Sequence, residues 1–550
     1  MRTHEVTNQV PPLPEHDVLG CDTTLTEAVA RWVEPADPDG ARALGDLGRL
    51  AGTDEVRTWA DEADRVSPTL HTHSPTGHRI DEVAFHPSYH RLMSVAVGEG
   101  LTAEPWTRPT GTGAHARRAA GFVVWSQVEA AHLCPVSMTY AAAPALAAQP
   151  DVAAGWVPGL AARSYEPGLV PHAAKAGLTL GMGMTEKQGG SDVRANTTRA
   201  TAVPGGPLSG DTYRLTGHKW FCSAPMSDGF LVLAQAEGGL TCFLLPRVTD
   251  DGARNALHLQ RLKDKLGNRA NASSEVELDE AWAVRVGDEG RGVRTIIDMV
   301  ASTRLDCVLG SAATMRAALV RAVHHARHRR AFGALLVDQP LMRNVLLDLA
   351  LESEAATLLG MRLAHAVDAG ERDLARIGVA LAKVWVCKRT APMVAEALEC
   401  LGGNGYVEEN GLARLYREAP LNSIWEGSGN VGALDVLRAV GREPRAVEAL
   451  LAELGTARGH DADLDRALDA CRAAIEAAGG PDAAWDARRT VGLLATTLQA
   501  VLLVRYAPGP LADAFVASRV RGDRGGVFGT LGSDLAGPTV TDVLDRAVAL

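Results

Sequence analysis

The feature that most constrains the fold is a change of texture between about Gly177 and Gly290. On either side the chain is Ala- and Leu-rich with helical spacing, while inside it breaks into short apolar runs punctuated by glycine. Tyr213–Thr216 runs into Gly217, Phe230–Ala236 is followed by Gly238 and Gly239, Thr241–Leu245 ends at Pro246, and Ser274–Leu278 alternates glutamate with apolar residues. Runs of that length between glycines read as strands, so a β module interrupts a helical chain. The order of helices, β module, helical bundle and more helices predicts an α+β multidomain protein. The spans are 1–176 for an N-terminal helical domain, 177–290 for the β domain, 291–440 for a helical bundle and 441–550 for an extra C-terminal helical region.

Before the β module the sequence reads as Ala-rich helical segments from about Thr24 to Pro171. Asp22, Thr23 and Thr24 are N-cap candidates, with Glu27 placed to complete a capping box on Thr24. Arg118–Ala143 is the longest segment, with Pro135 placing a break inside it and Pro144 marking its end. Helical periodicity returns near Gly292 and continues to Cys400, where Gly402 and Gly403 supply a stop. The longest apolar stretch, Val491 to Val504, suits a core helix better than a membrane span.

A net charge of −11 excludes a surface that is one nucleic-acid footprint, though it leaves room for a local basic patch. The eight cysteines form no C-x-x-C pair, which fits buried thiols in a reducing compartment and neither a disulfide framework nor a zinc site. With no basic-then-apolar segment at the N-terminus, the expectation is a soluble, cytoplasmic protein.

Four stretches carry candidate chemistry. Leu421–Asn430 reads L-N-S-I-W-E-G-S-G-N, and sets Glu426 between Trp425 and two glycines. It is either a base beside a flat ligand, with its proton affinity raised by the apolar neighbour, or a loop carboxylate ahead of a helix. Gly181–Asp192 (G-M-G-M-T-E-K-Q-G-G-S-D) offers backbone N–H groups and hydroxyls that could cradle a pyrophosphate, or is an ordinary turn into the β module. Gly217–Ser223 (G-H-K-W-F-C-S) puts two aromatics and a hydroxyl where they could flank a ring, or simply fill a core. His324–Gln339 clusters Arg327, Arg329 and Arg330 ahead of Phe332; the cluster suits a diphosphate, a nucleic acid or a solvated helix face. His324 and His328 lie four apart, but no acidic residue separates them, so no metal is expected. Gly427–Gly432 matches G-x-G-x-x-G, yet Pro420 precedes it and no βαβ pattern follows, so it is not a dinucleotide fingerprint.

Taken together and in order, M-T-E-K-Q-G-G-S-D, H-K-W-F-C-S, R-R-A-F-G with Gln339, L-G-G-N-G-Y and I-W-E-G-S-G-N resemble the acyl-CoA dehydrogenase family of flavoproteins. T-H-E-V-T-N-Q, F-H-P-S-Y-H and R-L-K-D-K-L-G-N-R-A-N-A-S resemble its AidB-type branch, linked to DNA alkylation. The resemblance spans essentially the whole chain. It implies FAD, a homotetramer and an acyl-CoA or other small substrate. It places Met182, Met184 and Thr185 at the flavin ring, Ser191 at the pyrophosphate, and Phe221 and Ser223 beside the reactive edge. Arg329, Phe332 and Gln339 would reach the FAD of a partner subunit, Gly402 and Gly403 its adenosine end, and Trp425, Ser428 and Asn430 would help hold the cofactor. Glu426 falls at the position of the catalytic base and Arg304 at an arginine bordering the active site. Three departures stand out: Ala301 where an aspartate commonly precedes that arginine, Asn430 for glutamine, and Phe221 for tryptophan. Two activities follow from the resemblance. One is α,β-dehydrogenation of an acyl thioester with Glu426 as base. The other is binding of double-stranded DNA in the alkylation response, for which Arg505, Arg519, Arg521 and Arg524 are the candidate contacts. Residues 441–550 carry twelve arginines, no lysine and fifteen acidic residues, a poor phosphate footprint unless those arginines cluster.

Overall fold

The computed structural model describes residues 3–204, 211–537 and 539–550. Helix α1 (Thr23–Trp32) is capped by Asp22, whose Oδ1 accepts the Leu25 N–H at 3.0 Å. Thr23 and Thr24 are therefore inside the helix, and the expected capping box does not form. Thr24 instead donates to Glu354 at 2.6 Å, and Glu27 pairs with Arg546 at 2.7 Å, partners that lie hundreds of residues away. After α2 (Pro38–Ala51) and α3 (Asp54–Arg65) comes an antiparallel hairpin, β1 (Thr69–His73) and β2 (Arg79–Ala84). The sequence reading treated this stretch as helical; its strands are polar and mostly part-exposed, so they carry little apolar alternation.

Helices α4 (Pro87–Gly98), α5 (Ala114–Ser126), α6 (Leu133–Leu146) and α7 (Pro150–Leu160) complete the N-terminal part. The break expected at Pro135 comes earlier. The Glu129 carboxylate accepts the N–H groups of Ala131 at 2.8 Å and His132 at 2.9 Å, which interrupts the helical ladder before α6 begins. Pro135 then lies in the first turn of α6, where its missing N–H costs nothing, and Pro144 sits in the last turn without ending it.

The β module forms as expected. Its strands are β3 (Leu180–Gly183), β4 (Arg199–Ala202), β5 (Thr212–Ser223), β6 (Gly229–Ala236), β7 (Gly239–Pro246), β8 (Leu257–Leu262) and β9 (Ser273–Val286). The spatial order is β3-β6-β4-β5-β9-β7 with β6 also paired to β7, so five strands close on themselves, and β8 adds to β9. Phe230, Phe243, Leu245 and Leu259 fill one core of this module.

Helix α8 (Gly292–His328) is followed by a two-residue ladder, β10 (Arg330–Ala331) and β11 (Ala334–Leu335), then α9 (Pro340–Asp368) and α10 (Arg372–Glu399). α11 (Leu412–Glu418) and α12 (Gly429–Arg442) precede the C-terminal helices α13 (Pro444–Gly455), α14 (Ala462–Ala477), α15 (Ala483–Tyr506), α16 (Gly509–Phe515) and α17 (Thr539–Ala547). α15 is long and apolar enough to cross a membrane, but 67% of its apolar window is buried within the protein, as a core helix requires.

The chain gathers into two compact units that do not follow chain order. One contains Met1–Thr53, Thr110–Gln127 and Arg304–Leu550; the other contains Asp54–Pro109 and Val128–Thr303. Among its described residues the first has helices and, as strands, only β10 and β11, and its central helix α9 is buried around its circumference from Leu346 to Leu363. α12 packs closely on α10, where a Cβ on Gly432 would come within 2.5 Å of Val384 Cγ2. Small side chains there set the approach of the helix that follows Glu426.

Candidate active site

In the helical unit, Glu426 lies in the turn leading into α12, half-buried, with a backbone φ of +56°. That left-handed conformation costs a residue with a Cβ on the order of 1 kcal/mol or more and persists only where neighbours enforce it. The neighbours are two cations. Arg304 of α8 donates from Nε to the Glu426 carbonyl at 2.9 Å. Lys383 of α10, only 2% exposed, donates from Nζ to the carbonyl of Trp425 at 2.8 Å and to that of Gly427. Three consecutive carbonyls are thereby tied to two helices. Gly427, at φ +96°, has no room for more, since a Cβ would stand 3.2 Å from Arg304 Nη2. The Trp425 indole donates to Asn422 Oδ1 at 2.9 Å, and Asn422 reaches Ser311 at 3.2 Å. The Cys307 thiol is pushed well up by burial first, and both the Lys383 and Glu426 charges act on it, in opposite senses.

Arg304 also pairs with Asp435 of α12 at 2.7 Å, and Asp435 pairs with Arg376 at 3.0 Å. Burial raises the Asp435 carboxyl, but the two guanidinium groups outweigh it and hold the group below the usual carboxylate range. The arginine that lacks an aspartate at Ala301 thus takes one from a helix 131 residues further on. Its contact here is with the backbone of Glu426, which makes it a positioning residue. Ser428 caps α12 through its backbone, accepting the Gly432 N–H at 2.9 Å, and Asn430 is exposed in the first turn.

Elsewhere in the same unit, Phe332 stands fully exposed at φ +51° in the turn between β10 and β11. Arg329 donates to the Asn8 carbonyl, and Gln339 donates to the Ala331 carbonyl at 2.8 Å. Arg327 pairs with Asp545 at 2.7 Å, so the three-arginine cluster does not gather on one anion in this chain. The His324 ring bonds the Pro11 carbonyl at 2.9 Å. Gly402, at φ +59°, and Gly403 are exposed beyond the end of α10.

In the β-containing unit, the loop after β3 is stiffened from below. Glu186 is buried against Lys219 Nζ at 2.8 Å and accepts the Thr197 N–H at 2.6 Å and the Thr198 hydroxyl at 2.6 Å. Burial alone would raise this carboxyl, yet those donors hold it at about 2. Asn196 donates to the Met184 carbonyl at 3.0 Å, and Trp220 N–H to that of Thr185 at 2.8 Å. Gly190 leaves room for Thr185 alone, because a Cβ would meet its Oγ1 at 2.3 Å. Met182 and Thr185 are half-buried, and Ser191 is exposed.

A β-bulge then decides where the aromatics of β5 point. Lys219 faces Val276 and Cys222 faces Ser274, so three steps on β5 match two on β9. The extra residue returns Cys222 to the interior beside Lys219, leaving Trp220 and Phe221 together on the outer face. Phe221 is 48% exposed, with Lys263 Nζ 4.5 Å from its ring and 3.6 Å from that of Trp220. Ser223 ends the strand with its hydroxyl 3.1 Å from that of Ser273.

Three family descriptions match consecutive parts of the chain. They are the adaptive response protein AidB N-terminal domain over residues 8–167, the acyl-CoA dehydrogenase middle domain over 181–281 and the acyl-CoA dehydrogenase C-terminal domain over 290–441. The chain is 46% identical over 472 residues to AidB of Escherichia coli (strain K12), covering 85% of this chain and 86% of that protein. It is 32% identical over 474 residues to acyl-CoA dehydrogenase family member 11 of Caenorhabditis elegans, covering 79% of this chain and 73% of that one. Its fold superposes on the structure of Caenorhabditis elegans ACDH-11 in complex with C11-CoA with a TM-score of 0.83, at 26% identity, over 100% of this chain and 93% of the other. The chain belongs to the acyl-CoA dehydrogenase family, in its AidB-type branch.

Acyl-CoA dehydrogenases are FAD-dependent oxidoreductases acting on CH–CH groups, and the residues present fit that cofactor. The outer face of β5 offers a flat exposed ring at Phe221 and a hydroxyl at Ser223, and Gly189 and Gly190 expose backbone for close approach.

The C-terminal arginines of this family member have other partners. Arg505 bonds Glu453 at 2.9 Å. Arg519 is 2% exposed in its side chain and paired with Asp348 and, at 3.4 Å, Glu352. Burial lowers the Arg524 guanidinium, as do the Arg519 and Arg389 charges beside it. Arg521, at 45% side-chain exposure, lies among Asp463, Asp523 and Asp534. They form no exposed basic patch.

Lys383, Asp435, Glu186 and Lys219 were missed in the sequence. Glu186 and Lys219 stand inside the quoted motifs, and Lys219, the lysine in a strand of aromatics, could have been found as a charge placed among apolar neighbours. Lys383, inside an apolar run of α10, had only its unusual company as a signal.

Proposed function

We propose that this chain is an FAD-dependent acyl-CoA dehydrogenase in which Glu426 removes the α proton of an acyl thioester. The observation that carries this is the pinned, left-handed turn that presents Glu426. A carboxylate whose backbone is fixed by two buried cations is oriented before substrate arrives, as proton abstraction from carbon requires. All peptide bonds described are trans, so each N–H from Glu426 to Ser428 points away from the cation that holds the preceding carbonyl. Donors so directed suit the thioester oxygen, where negative charge develops. FAD, when bound, supplies the acceptor for the β hydride. In this reading Met182, Met184, Thr185, Phe221 and Ser223 face the flavin, and Ser191 faces its pyrophosphate.

The test is anaerobic titration of the FAD-loaded protein with saturated acyl-CoAs of graded chain length. Bleaching of the flavin by one length, abolished in Glu426→Gln with FAD retained, is the expected result. Bleaching that survives in Glu426→Gln removes Glu426 from the reaction. The fully exposed Phe332, with Leu341 and Tyr406 also exposed, supports a homotetramer, which sedimentation velocity measures. The eight free thiols suit a reducing cytoplasm. Duplex DNA binding has less support, because Arg505 and Arg519 are engaged by carboxylates and Arg521 sits among acidic residues. Affinity for a duplex that falls steeply with salt would revive it.

A further inference from the structure

The Lys383 ammonium has an unusual assignment for a buried lysine. A cation taken out of water is costly unless a counter-charge compensates it, and most buried lysines have one. Lys219 of the same chain has Glu186 at 2.8 Å, and Lys175 has Asp228 at 2.6 Å. Lys383, 2% exposed, forms no ion pair among the described residues. Its donors go to the Trp425 and Gly427 carbonyls, one on each side of Glu426 and 42 and 44 residues away in sequence. It rises from α10 one residue before Val384, on which Gly432 of α12 packs closely. The same ammonium and the Glu426 carboxylate both act on the Cys307 thiol, so the two charges share one buried neighbourhood. A lysine that served only the bundle would not need two of its three donors on a single strained turn.

We propose that Lys383 is the positioning residue of this active site: its uncompensated buried charge clamps the turn at Trp425 and Gly427 and so aims the Glu426 carboxylate at substrate. The proposal rests on Glu426 being the base. Two cations then divide the work. Arg304 holds the central carbonyl and is neutralised by Asp435, whereas Lys383 holds the flanking pair.

The experiment compares Lys383→Met and Lys383→Arg with wild type and Glu426→Gln, all as FAD-loaded protein. Lys383→Met keeps an unbranched side chain one atom shorter and without its charge. The first readout is hydrogen exchange by mass spectrometry, which needs no turnover. Protection should be lost in the peptide covering residues 424–430 of Lys383→Met and kept along α10, with partial recovery in Lys383→Arg. Unchanged protection of that peptide overturns the proposal, as does loss spread equally over α10 and α12. The second readout is flavin reduction by the reactive acyl-CoA. Lys383→Met should reduce about a hundredfold more slowly, the effect of a misplaced reacting group. KM should change little, because the turn and not the binding of substrate is disturbed. A rise in KM with the reduction rate unchanged overturns it. Persistent reduction in Glu426→Gln marks instead the failure of the base assignment, independently of what Lys383 does to the turn.

Discussion

Arg519→Met tests whether the C-terminal region is a DNA-contacting surface or a structural clamp. Arg519 reaches into the helical unit to Asp348, which is fully buried, and to Glu352. Glu352 keeps a second guanidinium, Arg389, bonded through both oxygens at 3.0 and 2.9 Å. Burial would raise the Glu352 carboxyl, but Arg389 and then Arg519 hold it at about 2. Removing Arg519 therefore leaves Glu352 paired and Asp348 without its ion-pair partner. Breaking a buried pair from one side costs about 3–5 kcal/mol. Arg524 lies close enough for both carboxylates to act on it, and its charge compensates part of the loss. The expected cost falls at the lower end, about 3 kcal/mol. Guanidinium denaturation of the FAD-loaded protein measures it, with Arg521→Met, an exposed position, as a control expected within about 0.5 kcal/mol of wild type. The double variant Arg519→Met/Asp348→Asn should recover most of the loss, because it removes the orphaned charge along with its partner. Wild-type stability in Arg519→Met together with weakened duplex binding would refute the clamp and reinstate the arginine as a phosphate contact.

Two further outcomes follow from the geometry. Glu186 is held at about 2 in the folded protein against 4.5 unperturbed, so its contribution to stability is complete above about pH 4.5 and is lost as pH falls toward 2. The double variant Glu186→Gln/Lys219→Met should have a flatter acid limb in that window when unfolding is followed against pH, and an unchanged limb would mean the pair is not formed. Gly432→Ala should destabilise by about 1–3 kcal/mol through its Cβ meeting Val384 Cγ2. Gly441, near the C-terminal end of the same helix with open space around it, should accept alanine with no loss in the same melt.

Much of the fold was legible because its signals are local. Glycine-punctuated runs identified β5, β6, β7 and β9, and the return of helical spacing at Gly292 marks the start of α8. The polar hairpin β1–β2 escaped because its strands lack the apolar alternation that betrays a half-buried strand. The prolines misled because position decides their effect: in the first turn of α6 one is harmless, and the break was made by Glu129, a residue with no breaker reputation.

The sequence by itself determined that a glutamate set between a tryptophan and two glycines, a glycine-rich loop and a strand of aromatics belong to one member of the acyl-CoA dehydrogenase family, since each is a contiguous motif whose residue types must sit side by side. Only the tertiary structure decided how they are held. The bulge that turns Phe221 outward depends on the register of β5 against β9. Arg304 finds Asp435, Lys383 finds the turn around Glu426, and Arg519 finds Asp348, each across 42 to 171 residues. Contacts of that separation leave no periodicity in the chain. A buried cation must end near something that satisfies it, and which group that is depends on how helices pack, not on what lies beside it in sequence.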